Sequence, residues 1–245
     1  MKVLILAAGY GTRLKSIAEN TPKPLLPING RPLINYIIDR IKDLPGLDEI
    51  LVVTNNKFVV NFQDWAKTLK LKAKITVVND KTNVPEERLG SIGDIQYVIK
   101  EQKLSADLLV VGGDNLFDYN VDEYIMTAQK NLKSVSIGLY DIHNLEEAKL
   151  FGVVVLNKNG KITSFEEKPA QPKSTLIAMC FYYFPKATLG FIQEYLKDVG
   201  KSDTAGDYIR WLTAKYEVYG FKFIGKWYDI GSIEAYYEAQ KKFVS

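Results

Sequence analysis

In the first 140 residues, short aliphatic runs alternate with stretches whose apolar residues recur every three or four positions. Lys2–Ala8, Glu49–Thr54, Lys74–Asn79, Asp107–Val111 and Ser134–Tyr140 read as strands, the first of them a run suited to burial on both faces. Leu33, Ile34, Ile37, Ile38, Ile41 and Leu44 fall at helical spacing, in a helix that Pro32 can open. Phe58, Phe62, Trp65 and Leu69 mark a second helix; Ile92, Ile95, Val98 and Ile99 mark a third, over Ser91 to Lys103. Asp80–Leu89 is polar, carries Pro85 and reads as a loop, and a further helix precedes the strand at Ser134. This βαβα alternation predicts an α/β fold: a Rossmann-like mixed, mostly parallel sheet flanked by helices on both faces.

From Phe151 the pattern changes. Gly152–Leu156 and Lys161–Glu166 flank Asn157-Lys158-Asn159-Gly160, an Asn-Gly turn that predicts a hairpin. The apolar run Leu176–Phe184 predicts another strand after a Pro-rich connector. Helices are expected around Ala187–Leu196 and Asp207–Tyr216, strands near Val218–Tyr228, and a last helix from Ser232 to Phe243. No internal repeat, low-complexity tail or compositional linker interrupts the chain, so residues 1–245 are expected to form a single domain.

Composition narrows the chemistry. There is one histidine, His143, and one cysteine, Cys180. A zinc site built from about four Cys or His ligands is excluded, as is a disulfide within the chain. A Ser-His-Asp hydrolase would have to use the single histidine. The scarcity of cysteine makes a reducing cytoplasm the expected compartment. A metal would have to sit on oxygen ligands, which suits Mg²⁺. His143 has no motif around it and is expected at the surface, whereas Cys180 lies in a very apolar run and is expected in the core.

The net charge of +3 is too small to argue for nucleic acid or a membrane as partner, and neither is expected. The longest apolar run, Leu176–Phe184, has nine residues; a spanning helix needs roughly 20. Met1–Arg13 superficially resembles a signal peptide, but its apolar stretch is short and a Gly-rich loop stands where a cleavage site would be.

The strongest chemical feature is Leu6-Ala7-Ala8-Gly9-Tyr10-Gly11-Thr12-Arg13, followed by Thr21-Pro22-Lys23-Pro24-Leu25. Glycines after a first strand let backbone N–H groups approach an anion closely. Arg13 adds a planar fork for phosphate oxygens. Lys23 lies between two prolines, which stiffen its approach. Such a loop fits a polyphosphate better than a carboxylate. It is not the dinucleotide fingerprint, because Leu14 occupies the third glycine position, and no Walker A sequence follows it. Asp114, after an apolar strand and Gly112-Gly113, belongs at the carboxyl edge of the sheet, where ligands of open α/β sheets bind. An aspartate there is also a common helix cap.

The string LAAGYGTRL…TPKPLLPINGRPLI resembles the signature of the sugar-1-phosphate nucleotidyltransferases. GGDN at Gly112–Asn115, FGVVVLNKNGKITSFEEKP at Phe151–Pro169 and KWYDIGSIEAYYEA at Lys226–Ala239 resemble three further motifs of that family, in the same order. The resemblance implies Mg²⁺-dependent transfer of a nucleotidyl group from an NTP to a hexose-1-phosphate, with dTTP or UTP favoured. It implies a nucleotide-binding half over 1–140 and a sugar-binding half over 141–245. Nucleotide contacts are implied for Leu6, Ala7, Ala8, Gly9, Gly11, Thr12, Arg13, Lys23 and Gly90. Arg13, Lys23 and Asp114 become the catalytic residues, Asp114 and Asp229 the metal ligands. Gly152, Glu167 and Lys168 are implied to bind the sugar phosphate. Asn83–Arg88 and Tyr10 depart from the family's base-reading pattern, which leaves the base open.

Two other classes stay in view: a cytidylyl- or guanylyltransferase acting on phosphocholine, a polyol phosphate or mannose-1-phosphate, and a non-catalytic nucleotide-sugar-binding regulatory subunit. The chain has no room after the Asp229 segment for an appended β-helix, so a monomer or small homo-oligomer is expected.

Overall fold

The computed structural model describes residues 1–14, 17, 20–200 and 204–243. In chain order, the first elements are β1 (Lys2–Leu6), β2 (Pro27–Ile28), β3 (Arg31–Pro32), α1 (Leu33–Ile41), β4 (Glu49–Thr54), α2 (Val59–Lys67) and β5 (Lys74–Asn79). Then come α3 (Gly90–Glu101), β6 (Leu108–Gly112), β7 (Asn115–Phe117), α4 (Asp122–Ala128), β8 (Val135–Asp141) and α5 (Leu145–Ala148). The last are β9 (Gly152–Leu156), β10 (Ile162–Glu167), β11 (Leu176–Phe184), α6 (Gly190–Val199), α7 (Ala205–Lys215), β12 (Val218–Lys222), β13 (Trp227–Asp229) and α8 (Ile233–Lys242). The fold class is the one the hydrophobic pattern predicts, a mixed, mostly parallel sheet flanked by helices.

The chain forms two compact units: Met1–Arg88 with Val111–Val121 and Gly225–Ser245, and Leu89–Val110 with Asp122–Ile224. In the first unit, β1 pairs with β4 and β4 with β5, both parallel. Val3–Ile5 and Ile50–Val53 are fully buried, as expected of aliphatic strands covered on both faces. Covering residues come from α1, through Leu33, Ile34, Ile37, Ile38 and Ile41, and from α2, through Phe62 and Trp65. Pro32 stands immediately before α1 rather than inside it, because it also pairs with Pro27 in the short β2–β3 hairpin.

In the second unit the ladders are mainly antiparallel. β9 and β10 form the hairpin expected at the Asn-Gly turn, with Gly160 at φ +77°. β11 pairs antiparallel with β8 and β9, and β12 joins β8 in parallel. An aromatic cluster of Tyr124, Phe181, Phe221 and Phe223 fills this region in tilted and edge-on contacts. Cys180 is half-buried rather than core. The first part of β11 alternates, burying Ile177, Met179 and Phe181 and leaving Ala178 and Cys180 partly accessible. His143 is exposed, as expected. Among the described residues, no helix is long and apolar enough to cross a membrane.

Candidate active site

The Gly-rich loop leaves β1 under tight backbone control. The Ala7 N–H donates to Val53 O at 2.9 Å, prolonging the β1–β4 ladder by one residue. Asn55 Nδ2 then donates to Ala8 O at 2.9 Å, and Asn55 Oδ1 accepts the Phe58 N–H at 3.2 Å. Asn55 is fully buried, so this amide fixes the loop's starting direction with its polar groups satisfied. Beyond it, side chains at Gly9 or Gly11 would meet only open space, and Gly11 has φ +64°, a conformation glycine tolerates best. Thr12–Leu14 is a short 3-10 turn closed by Leu14 N–H to Gly11 O at 2.9 Å. The sequence assigns Arg13 through its side chain, which lies outside the described part of the structure. Thr12 is exposed, whereas Ala7 and Ala8 are buried.

Tyr10 extends sideways, and its hydroxyl lies 2.9 Å from Thr82 Oγ1. Thr82 in turn donates through its N–H and its hydroxyl to Asp80 Oδ1, both at 2.8 Å. The loop after β5 is thereby tied to the Gly-rich loop at the residue where the sequence departs from the family pattern.

Lys23 sits in a 3-10 turn, Lys23–Leu25, framed by Pro22 and the buried Pro24. Its Nζ donates to Asp114 Oδ2 at 2.7 Å. Gly113 makes that approach possible: its N–H donates to Leu6 O at 2.8 Å. A Cβ at that position would fall 2.6 Å from Leu6 O and 2.9 Å from Pro24 Cγ. Only glycine lets the end of β6 lie this close to both segments.

Asp229 arrives from the far end of the chain through a second ladder. β13 pairs antiparallel with β7, Asp229 opposite Asn115, and the Ile230 N–H donates to Asp114 O at 3.1 Å. Buried Asn115 secures this register: Trp227 Nε1 donates to Asn115 Oδ1 at 2.7 Å, while Asn115 Nδ2 donates to Gly112 O at 3.1 Å. Asp229 thus ends one strand of a small ladder, and Asp114 immediately precedes the other. Among the described residues no group of three or more His, Cys, Asp or Glu side chains could hold a metal. A cation at the two aspartates would need water or ligand oxygens to complete its shell.

The remaining predicted residues lie in the second unit. Gly90 opens α3 with φ +75°, a left-handed start that suits glycine. Gly152 and Glu167 are cross-strand partners in β9–β10. A Cβ on Gly152 would fall 2.6 Å from the Phe165 ring and 3.1 Å from Glu167 Oε2. Burial pushes the Glu167 carboxyl above the usual carboxylate range; Lys168 opposes this, Asp207 adds to it and Arg210 opposes it. Lys168 is exposed, at φ +46°, with its N–H donating to Phe151 O at 3.0 Å. A non-glycine residue held in the left-handed region stores strain of the kind found at ligand sites.

Sequence reasoning did not single out Asn55, Thr82 or Trp227. Asn55 carried the only signal available, a polar residue directly after an unbroken aliphatic strand. The others act through partners distant in sequence.

The nucleotidyl transferase family model matches residues 2–245. The bifunctional protein GlmU of Methanocaldococcus jannaschii is 29% identical over 98% of this chain; the match covers 54% of that protein, so the chain spans about half its curated relative's length. A UDP-glucose pyrophosphorylase structure complexed with UDP-glucose shares the fold, with a TM-score of 0.81, 23% identity and coverage of 98% of this chain and 97% of that one. So does a Bacillus anthracis protein described as a glucose-1-phosphate thymidylyltransferase, at TM-score 0.77, 22% identity and coverage of 100% and 98%. The resemblance carried by the four sequence motifs is therefore borne out along the whole chain, which belongs to the nucleotidyl transferase family.

Proposed function

We propose that the chain catalyses transfer of a nucleotidyl group from an NTP, with dTTP or UTP favoured, to a hexose-1-phosphate. The products are a nucleotide-sugar and pyrophosphate. The observation that supports this reading is the Lys23–Asp114 contact beside the open Gly-rich loop, with the β7–β13 ladder bringing the backbone at Asp229 next to that at Asp114. A cation paired with one aspartate, and a second aspartate on the adjoining strand, suit a polyphosphate and a divalent ion; they provide no nucleophile or histidine base.

An oxygen of the sugar phosphate attacks the α-phosphorus, forming the new P–O bond. The bond from the α-phosphorus to the bridging oxygen of the β-phosphate breaks, and pyrophosphate leaves with that electron pair. The sugar phosphate is already anionic near neutral pH, so positioning and charge stabilisation carry the catalysis. Backbone N–H groups of the loop beyond the Ala7 ladder bond, at Ala8, Gly9 and Gly11, face the phosphates, and Arg13 holds the β- and γ-phosphates. Lys23 bridges the α-phosphate and the incoming phosphate. Asp114 and Asp229 would hold Mg²⁺, with water and phosphate oxygens completing its shell. The bound ion supplies neutralisation of phosphate charge. Glu167 accepts hydrogen bonds from sugar hydroxyls, Lys168 meets the sugar phosphate, and Gly152 keeps the backbone close.

The enzyme is read as cytoplasmic and as a monomer or small homo-oligomer, with the single cysteine supporting the compartment. The test is pyrophosphate release over a grid of four triphosphates against glucose-1-phosphate, mannose-1-phosphate, phosphocholine and a polyol phosphate. Release with dTTP or UTP and a hexose-1-phosphate is expected. Release only with CTP or GTP, or only with another acceptor, moves the reading to that class. No release with any pair makes the chain a binding subunit and overturns it.

A further inference from the structure

Gly206 is the second residue of α7, and its backbone is not in the left-handed region. Neither a turn nor a positive φ requires glycine there, and helices ordinarily disfavour it. The neighbouring side chain supplies the reason. A Cβ on Gly206 would lie 2.1 Å from Glu167 Oε2, 2.6 Å from Glu167 Cδ and 3.2 Å from Glu167 Cγ. The Glu167 carboxyl group occupies the space a side chain at 206 would need. Across the hairpin, a Cβ on Gly152 would come within 3.1 Å of the same Oε2. One carboxylate oxygen is therefore bounded by two glycine backbones, one from β9 and one from α7.

We infer that Gly206 is a positioning residue for the acceptor substrate: by carrying no side chain, it sets where the Glu167 carboxylate stands and so where the hydroxyls of a sugar phosphate are received. The inference rests on the reading of Glu167 as the sugar-hydroxyl acceptor. Gly152 also clears the Phe165 ring, so its substitution disturbs the hairpin itself. Gly206 is a cleaner probe, because the atoms in conflict are the far end of a flexible side chain that can swing aside while α7 stays folded. The first turn of α7 is independently secured by Thr204, whose Oγ1 accepts the Asp207 N–H at 3.2 Å.

A methyl group at 206 has opposite consequences under the two explanations of this glycine. A purely structural role gives Gly206→Ala a helix-favouring effect, a Tm unchanged or raised by a few degrees, and unaltered kinetics. A positioning role displaces the carboxylate by about 1 Å or more, a scale of misplacement that can cost up to about 10²-fold in rate.

The experiment measures pyrophosphate release in wild type, Gly206→Ala, Glu167→Ala and the double variant. Glucose-1-phosphate is varied at saturating dTTP or UTP, and the triphosphate is then varied in turn. The expected result for Gly206→Ala is a KM for glucose-1-phosphate raised about 10-fold, with the KM for the triphosphate unchanged and Tm not lowered. The double variant should be no worse than Glu167→Ala alone. If Glu167→Ala raises the sugar-phosphate KM while Gly206→Ala leaves it unchanged, the inference fails alone. It also fails if the Gly206→Ala effect persists in full without Glu167. If Glu167→Ala itself leaves the sugar-phosphate KM unchanged, the sugar-binding reading of Glu167 falls and takes the inference with it.

Discussion

Lys23 Nζ stands 2.7 Å from Asp114 Oδ2, although 91 residues separate the two in the chain. Both side chains are partly accessible, with 19% of Lys23 and 33% of Asp114 exposed. The pair is not a loose surface bridge, because each partner is held by stiff backbone. Two prolines bracket Lys23, and Gly113 allows Asp114 to close on the end of β1. The cation is thus presented beside the Gly-rich loop with little freedom left to lose when phosphate oxygens engage it.

Replacing that cation tests its role directly. Lys23→Ala should cut pyrophosphate release by about 10²-fold or more, the usual cost of losing a preorganised electrostatic stabiliser. A variant with normal turnover would remove Lys23 from the reaction.

The two aspartates make a separate prediction about the metal. Asp114→Asn should weaken Mn²⁺ or Mg²⁺ binding in a direct titration and abolish metal-dependent turnover, because a neutral amide is a poorer ligand for a hard cation. Asp229→Asn should act in the same direction. Undiminished metal affinity and full Mg²⁺-dependent rates in both variants would place the ion elsewhere.

Gly113 is expected to tolerate nothing larger. Its Cβ would lie 2.6 Å from the Leu6 carbonyl oxygen, a backbone atom at the end of a central strand, so relief requires moving strands. Gly113→Ala should destabilise the protein by about 1–3 kcal/mol, the range for overpacking a tight site. Urea unfolding measures this; an unchanged midpoint would show that the β1 and β6 ends yield easily.

Glu49 gives the acid limb of stability. Burial alone would raise its carboxyl, but hydrogen bonds from Lys2, Thr76 and Lys74, with the Lys2 charge, outweigh it and pull it down to about 2. A carboxylate depressed on folding adds stability that is fully present above its ordinary value near 4.5 and is lost as pH falls from about 5 toward 2. The contribution is about 3 kcal/mol above that window. Glu49→Gln should be less stable than wild type at pH 7 and show a shallower fall in urea midpoint between pH 5 and pH 2. Parallel acid limbs for the two proteins would exclude this group as the cause.

Much of the fold is legible in local pattern. The apolar spacing from Leu33 to Ile41 gives α1 and its buried face, and the unbroken aliphatic runs give β1 and β4. The hairpin follows from Asn157–Gly160. Three short pieces escape such reading. The β2–β3 hairpin has two residues per strand, two of them proline; β7 has three residues; α5 is one turn. Elements this short contain no full period of either hydrophobic pattern, so only their partners reveal them. Cys180 departs from the expected core position for a related reason: its strand is apolar throughout, and composition does not say which of two apolar faces lies deeper.

By itself the sequence determined which residue types this protein can bring to phosphate chemistry and the order of its main elements. Glycines, Lys23, the aspartates and Glu167 are visible as motifs, and a single histidine and a single cysteine narrow the alternatives. The tertiary structure alone decided who meets whom. Asp229 reaches the neighbourhood of Asp114 because Trp227 and buried Asn115 lock a three-residue ladder. Tyr10 finds Thr82, and Gly206 makes room for Glu167. Hydrophobic periodicity reports which face of an element is buried, a property of neighbouring residues. The partner across that face is set by long-range register and by individual hydrogen bonds, and these leave no periodic trace in the chain.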